Sequence, residues 1–121
     1  MKKVLIIDDD EDNLFLLATC VADLGVEVVT KNNILPLSEI MSISPDLVML
    51  DHWINNDHGS DLCCQVKNNP VTSGIPVVMV SAVIDLGKIA EDSHADAYIE
   101  KPFDFNDIQT AVKKQLNLKF A

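Results

Sequence analysis

The chain has 121 residues, of which 48% are hydrophobic and 23% are charged, and its formal net charge is −10. This length and composition are typical of a single globular domain and exclude an intrinsically disordered chain. All nine cationic side chains are lysines, so the sequence has no basic patch for a phosphate backbone and disfavours direct binding of nucleic acid.

Neither a membrane span nor a secretory signal is predicted. No apolar run approaches the roughly 20 residues that a bilayer requires, and the apolar stretch after the N-terminal lysines is too short for a signal peptide. The cysteines are odd in number and two of them are adjacent, which indicates buried free thiols rather than disulfides. We therefore expect a cytoplasmic protein.

Short apolar runs rich in β-branched residues predict five strands. Several runs are apolar at every position, which indicates parallel strands that are covered on both faces. In chain order the predicted strands cover residues 4–7, 26–30, 47–50, 77–80 and 97–99.

A helical pattern follows each predicted strand. Apolar residues recur at helical spacing, and Gly25, Ser44-Pro45 and Pro70 end the first three patterns. The fourth pattern is short, so an abbreviated or irregular helix is expected there. The predicted helices cover residues 14–24, 37–41, 61–68, 86–91 and 107–116.

Five βα units predict an α/β fold, a flavodoxin-like doubly wound (βα)5 domain that fills residues 1–121. Its sheet would have five parallel strands with helices on both faces. Ligands of such sheets bind outside the carboxyl ends of the strands. Four strand ends carry reactive side chains, which should meet in one cleft: Asp8 and Asp9, Asp51, Ser81, and Lys101.

Three carboxylates in one cleft repel one another, so they call for a cation. One divalent ion together with Lys101 would neutralise Asp8, Asp9 and Asp51, and oxygen ligands without His or Cys favour Mg²⁺. An aspartate in this setting can act as a nucleophile and form an aspartyl phosphate. The metal, the ammonium and the Ser81 hydroxyl would then stabilise the charge of the phosphoryl group.

The acidic run also has a simpler interpretation. Residues 8–12 could form a solvated turn and the start of a helix, because acidic side chains are favoured at helix N-termini. We assign Asp10 and Asp12 to that structural role, and we assign Asp8 and Asp9 to the cleft because they coincide with Asp51 and Lys101.

Four motifs in order, "VLIIDDDEDN", "DLVMLD", "VVMVSA" and "AYIEKPFD", resemble those of receiver domains of two-component response regulators. The resemblance is to single-domain, chemotaxis-type regulators and covers essentially the whole chain. It implies that Asp51 accepts a phosphoryl group from a phosphohistidine on a sensor histidine kinase or a histidine phosphotransfer protein. It also implies a switch that assists its own phosphorylation and dephosphorylation, rather than a turnover enzyme.

The resemblance assigns roles within the cleft. Asp9 and Asp51 would bind Mg²⁺ directly, Asp8 partly through water, and the backbone carbonyl of Trp53 would be a further ligand. Lys101 would pair with a phosphoryl oxygen.

The resemblance also implies structural features outside the acidic cluster. The Lys101–Pro102 peptide bond would be cis. Ser81 would supply the switch hydroxyl, and Tyr98 the aromatic ring that changes rotamer. Phosphorylation would then remodel the face formed by the fourth helix, the fifth strand and the fifth helix.

Three positions depart from the family pattern. Asn55 stands where the family usually has Pro, His58 where it has Asp, and His94 where it has Gly. These changes bear on the rigidity of the loop, the phosphoryl lifetime and the output face, not on the charged groups. The spacing of His52, His58 and His94 does not suit a metal site, so all three are expected at the surface.

Two other functions stay open at this stage. One is a pseudo-receiver that binds a partner without phosphorylation. The other is a phosphatase of the haloacid dehalogenase type, since residues 8–10 resemble its D-x-D motif. The output partner is not identifiable, and the sequence leaves both a monomer and a weak dimer open.

Overall fold

The computed structural model describes residues 1–118 of the chain. Its main sheet contains five parallel strands in the order β2-β1-β3-β6-β7, which confirms the predicted flavodoxin-like sheet. A separate antiparallel pair, β4 and β5, lies between β3 and the third helix. The strands are β1 Lys3–Ile7, β2 Glu27–Lys31, β3 Leu47–Leu50, β4 Trp53–Ile54, β5 Asp57–His58, β6 Val77–Ser81 and β7 Ala97–Glu100.

Five helices cover the two faces of the main sheet. Side chains of successive strand residues point to opposite faces, so Leu5 and Ile7 belong to one buried cluster and Val4 and Ile6 to the other. The first cluster packs under α2, α3 and α4, and the second under α1 and α5. The helices are α1 Glu11–Ala22, α2 Leu37–Ile43, α3 Gly59–Asn68, α4 Leu86–Asp92 and α5 Phe105–Leu116.

All five predicted strands and all five predicted helices are present, with ends that differ by at most three residues. Helix α1 begins earlier than its apolar pattern because Asp10 caps it, and α5 begins earlier because Asp104 and Asp107 form a capping box. Helix α4 has seven residues, as its short pattern predicted. Within residues 1–118, no helix combines the length and apolar character that a membrane span requires.

The hairpin β4–β5 was not predicted. Its strands pair Trp53 with His58 and Ile54 with Asp57. The two residues between them, Asn55 and Asn56, have positive φ angles of 50° and 69°, the sign that a type I′ turn requires. Asn tolerates this region better than most residues, so the Asn-Asn pair was the available signal.

Candidate functional site

The ammonium of Lys101 lies between two carboxylates at the carboxyl edge of the sheet. Its Nζ donates to Asp8 Oδ2 over 3.0 Å and to Asp51 Oδ2 over 2.7 Å. Asp8 follows β1, Asp51 follows β3 and Lys101 follows β7. The backbone continues the sheet, because Asp51 N donates to Ile7 O and Lys101 N donates to Ser81 O. Parallel pairing of the strands therefore brings distant parts of the chain into one cluster.

Burial determines the electrostatics of this cluster. The Asp8 side chain is 1% exposed, and burial raises the pKa of Asp8 although the Asp10 backbone N–H and Lys101 both lower it. For Lys101, burial opposes the charged form, but hydrogen bonds and attraction from Asp51 and Asp8 outweigh it and raise the pKa of Lys101. Both pKa values are raised, which favours the neutral form of Asp8 but the charged form of Lys101. One ammonium serves two carboxylates, so its attraction offsets the cost of burying the Asp8 carboxylate only in part.

The third acid, Asp9, is exposed and bonded elsewhere. Its Oδ2 accepts a hydrogen bond from the backbone N–H of Asn55 over 2.9 Å. Asp51 is also bound by the loop that follows it, because its Oδ1 accepts from His52 N over 2.6 Å and from Trp53 N over 3.4 Å. Asp8 and Asp51 therefore share Lys101, whereas Asp9 is bound by the hairpin.

The donor set suits a hard divalent cation. Three carboxylates and one ammonium leave a net charge of −2, which one Mg²⁺ would balance, and oxygen is its preferred ligand. As the side chains lie, no three of the Asp, Glu, His and Cys residues within 1–118 form a metal-binding group. Lys101 bridges Asp8 and Asp51, and Asp9 is bonded to Asn55. Binding of Mg²⁺ between Asp8 and Asp51 would therefore require the Lys101 ammonium, which bridges them, to move.

The side chains of the two predicted switch residues are not hydrogen-bonded to Asp8, Asp9 or Asp51 within residues 1–118. Ser81 ends β6 and is buried, and its Oγ accepts from Val83 N over 3.4 Å. The Tyr98 side chain lies against Gly87 of α4, where an added Cβ would be 3.0 Å from the phenol oxygen. Tyr98 is 48% exposed, so its ring lies outside the core.

The predicted cis bond is present between Lys101 and Pro102. A further residue, Gly59, was not singled out by sequence reasoning. A Cβ on Gly59 would overlap the carbonyl oxygen of Asp51, and Gly59 N donates to His52 O. Only glycine leaves room for the backbone at this point. The signal available in the sequence was a glycine at the start of the third helix.

The prediction of a surface location was wrong for His52. This residue is 8% exposed, and its ring stacks on His58 at a centroid distance of 5.1 Å and meets Trp53 edge-on at 5.3 Å. The hairpin that supplies these two rings was missing from the predicted fold. Burial lowers the pKa of His52, and the neighbouring His58 lowers it further. His58 and His94 are exposed as predicted.

The Cys64 thiol is only partly buried, unlike those of Cys20 and Cys63. All three cysteines are free. The prediction that the thiols are buried is therefore confirmed for Cys20 and Cys63 and is wrong for Cys64.

A family model described as the response regulator receiver domain matches residues 4–113. The chain belongs to the response regulator receiver domain family. Receiver domains are the phosphoacceptor switches of two-component signalling, and this is the function class of the chain.

Two curated relatives are similar to this receiver domain over nearly its whole length. The DNA-binding dual master transcriptional regulator RpaA of Synechocystis sp. is 32% identical over 122 residues, covering 96% of this chain and 49% of RpaA. The nisin biosynthesis regulatory protein NisR of Lactococcus lactis is 33% identical over 120 residues, covering 97% and 50% respectively. The receiver domain thus spans about half the length of these relatives.

Solved structures agree on the fold of the receiver domain. A putative response regulator from Chloroflexus aurantiacus superposes with a TM-score of 0.86 at 26% identity and covers 96% of this chain and 98% of its own. A CheY-like receiver domain protein from Methanospirillum hungatei gives a TM-score of 0.87 at 25% identity, with coverage of 97% and 94%.

Proposed function

We propose that Asp51 of this receiver domain accepts the phosphoryl group, with a phosphohistidine of a sensor histidine kinase or a histidine phosphotransfer protein as donor. The observation that carries the proposal is the Lys101 ammonium at 2.7 Å from the Asp51 carboxylate, at the carboxyl end of a buried strand. A charged lysine at that distance is placed to contact a phosphoryl oxygen once the carboxylate is phosphorylated.

The proposed transfer is a nucleophilic displacement at phosphorus. A carboxylate oxygen of Asp51 forms a P–O bond while the P–N bond of the phosphohistidine breaks, and the electron pair returns to the imidazole nitrogen, which takes up a proton. Asp8, Asp9, Asp51 and the Trp53 carbonyl would hold Mg²⁺, which supplies charge neutralisation for the phosphoryl oxygens.

The proposed conformational switch involves Ser81 and Tyr98. Ser81 ends the neighbouring strand with a buried hydroxyl, which would turn toward a phosphoryl oxygen. Tyr98 lies half-exposed against α4 and would change rotamer in response. The face of α4, β7 and α5 is accordingly proposed as the partner-binding surface, and the domain would assist its own phosphorylation and dephosphorylation.

The proposed setting is cytoplasmic, where kinase and receiver meet. Relatives such as RpaA are named as DNA-binding regulators, whereas the net charge of −10 makes direct DNA contact by this stretch unfavourable. The output is therefore proposed to be another protein or another part of a longer chain. A single domain over residues 1–121, as a monomer or weak dimer, stays a prediction.

Acetyl phosphate with Mg²⁺, followed by peptide mass spectrometry, tests the acceptor. The proposal requires a label on Asp51 that disappears in Asp51→Asn and persists in Asp57→Asn, a control in the exposed hairpin. Continuous turnover of the donor through Asp8 would indicate a phosphatase instead. A folded wild-type chain that takes no label from this donor or from a phosphorylated histidine kinase would indicate a pseudo-receiver.

A further inference from the structure

We propose that Asn55 is a positioning residue, which orients the Asp9 carboxylate for cation binding. The inference rests on the proposed function, because it concerns the same acidic cluster. It goes further by assigning a role to a side chain that lies outside that cluster and departs from the family pattern.

Asn55 connects three segments that follow three adjacent strands. Its backbone N–H donates to Asp9 Oδ2 over 2.9 Å, and its side-chain Nδ2 donates to the carbonyl oxygen of Asn32 over 2.8 Å. Asp9 follows β1, Asn32 follows β2, and Asn55 lies in the hairpin after β3. The side-chain bond therefore anchors the tip of the hairpin, and the anchored backbone binds the acid.

The backbone conformation makes both contacts possible. Asn55 and Asn56 both have positive φ, at 50° and 69°, and together they form the two-residue turn of the hairpin. Proline has no N–H and fixes φ near −65°, so it could form neither contact in this turn. Both contacts therefore require a residue that keeps its N–H, accepts a positive φ and carries a side-chain donor.

Asp9 depends on this contact for its orientation. It is exposed, and within residues 1–118 it makes no other hydrogen bond or ion pair. Groups that hydrogen-bond a metal-binding carboxylate fix its direction, and their loss typically lowers metal affinity about 10- to 100-fold. The N–H occupies one lone pair of Oδ2, and the remaining lone pairs of the carboxylate stay available to a cation.

A matched pair of glycine variants isolates the Asn55 side chain. Asn55→Gly and Asn56→Gly both place glycine at a positive φ, so the backbone is tolerated equally in both, but only the first removes the bond to Asn32. Magnesium affinity is measured from the amide shifts of residues 8–10 during a titration with Mg²⁺. We expect the affinity of Asn55→Gly to fall about 10-fold and that of Asn56→Gly to stay close to wild type, at similar melting temperatures.

Equal affinities in the two variants, or tighter binding by Asn55→Gly, would overturn the positioning role. A second measurement does not depend on either variant folding: the Asn55 amide proton of the metal-free wild type should shift when Asp9 is replaced by Asn, and an unchanged shift would also overturn the role. If wild type binds Mg²⁺ and labels Asp51 while these results fail, the inference alone is wrong. If wild type does neither, the proposed function fails with it.

Discussion

Lys101 donates a hydrogen bond to Asp51 over 2.7 Å although the two residues are 50 positions apart in the chain. The bond joins the ends of β3 and β7, which are separated in the sheet by β6. It forms only when all three strands have paired, so the Asp51 carboxylate is bound to the Lys101 ammonium by the completed sheet. Stability and chemistry are therefore linked at this point.

Lys101→Met should destabilise the domain by about 2 kcal/mol, because it leaves the carboxylates of Asp8 and Asp51 without their shared donor. Both bonds lie in a poorly exposed cluster, with the Lys101 side chain 13% exposed. Urea denaturation in the absence of Mg²⁺ measures the free energy of unfolding. Lys88→Met is the control, since its i,i+4 pair with Asp92 is exposed and contributes about 0.3 kcal/mol. Equal losses in the two variants would contradict the expectation.

The raised pKa of Asp8 predicts a pH dependence of stability. In the folded state Asp8 keeps its proton to higher pH than the ordinary 3.8, so its favourable contribution is present below that value and is lost as pH rises through the folded pKa. The free energy of unfolding of wild type minus that of Asp8→Asn should fall as pH rises from the ordinary value of 3.8 through the raised pKa of Asp8. Chelator-treated protein is used for both series, and a difference that increases with pH would contradict the direction.

Gly59→Ala should destabilise the domain by about 3 kcal/mol, the upper range for inserting a methyl group into a filled space. The new Cβ would overlap the Asp51 carbonyl oxygen, which is backbone and cannot swing aside. Gly74→Ala is the matched control, because nothing lies within 4 Å of its Cβ. There the substitution should be neutral or slightly stabilising. Thermal and urea unfolding of the pair decide the matter, and similar stabilities would refute the steric argument.

Asp10→Ala should cost about 1 kcal/mol of stability through loss of the α1 cap. The Asp10 side chain accepts from Asp12 N over 3.0 Å and from Asn13 N over 3.1 Å. Labelling of Asp51 by acetyl phosphate should be retained in Asp10→Ala, since Asp10 is assigned a structural role. Asp12→Ala, which removes an acid from the same turn but no cap, should cost only a few tenths of a kcal/mol. Loss of labelling in Asp10→Ala would place Asp10 in the site.

Gly87→Ala should move the Tyr98 ring. The added Cβ lies 3.0 Å from the phenol oxygen, so the flexible side chain must give way. Tyr98 is the single tyrosine, and its ring resonances report the shift without ambiguity. The gain in helix propensity of about 1 kcal/mol should appear fully in a Tyr98→Ala background and only in part in wild type. Identical gains in the free energy of unfolding in both backgrounds would show that the Tyr98 ring does not oppose the added methyl group.

Sequence alone was sufficient for the five strands of the main sheet, the helices and the edge of the sheet that carries the acids. Burial on both faces requires continuous apolar runs in β1, β3 and β6, and those runs are visible locally at residues 4–7, 47–50 and 77–80. The acids and Lys101 follow the runs directly, so parallel pairing alone brings Asp8 and Asp51 to the same edge as Lys101. These features depend on composition and order along the chain.

Tertiary structure decided the features that depend on side-chain direction and on contacts between distant segments. The hairpin of Asn55 and Asn56 has too few residues to show a period, and the burial of His52 follows from that hairpin. The hydrogen bond from Asn55 N to Asp9 Oδ2 joins residues that are 46 positions apart. The direction of its backbone donor is set by the positive φ of Asn55. No local pattern encodes such a contact, because its geometry exists only when the strands, the turn and the rotamers are all in place.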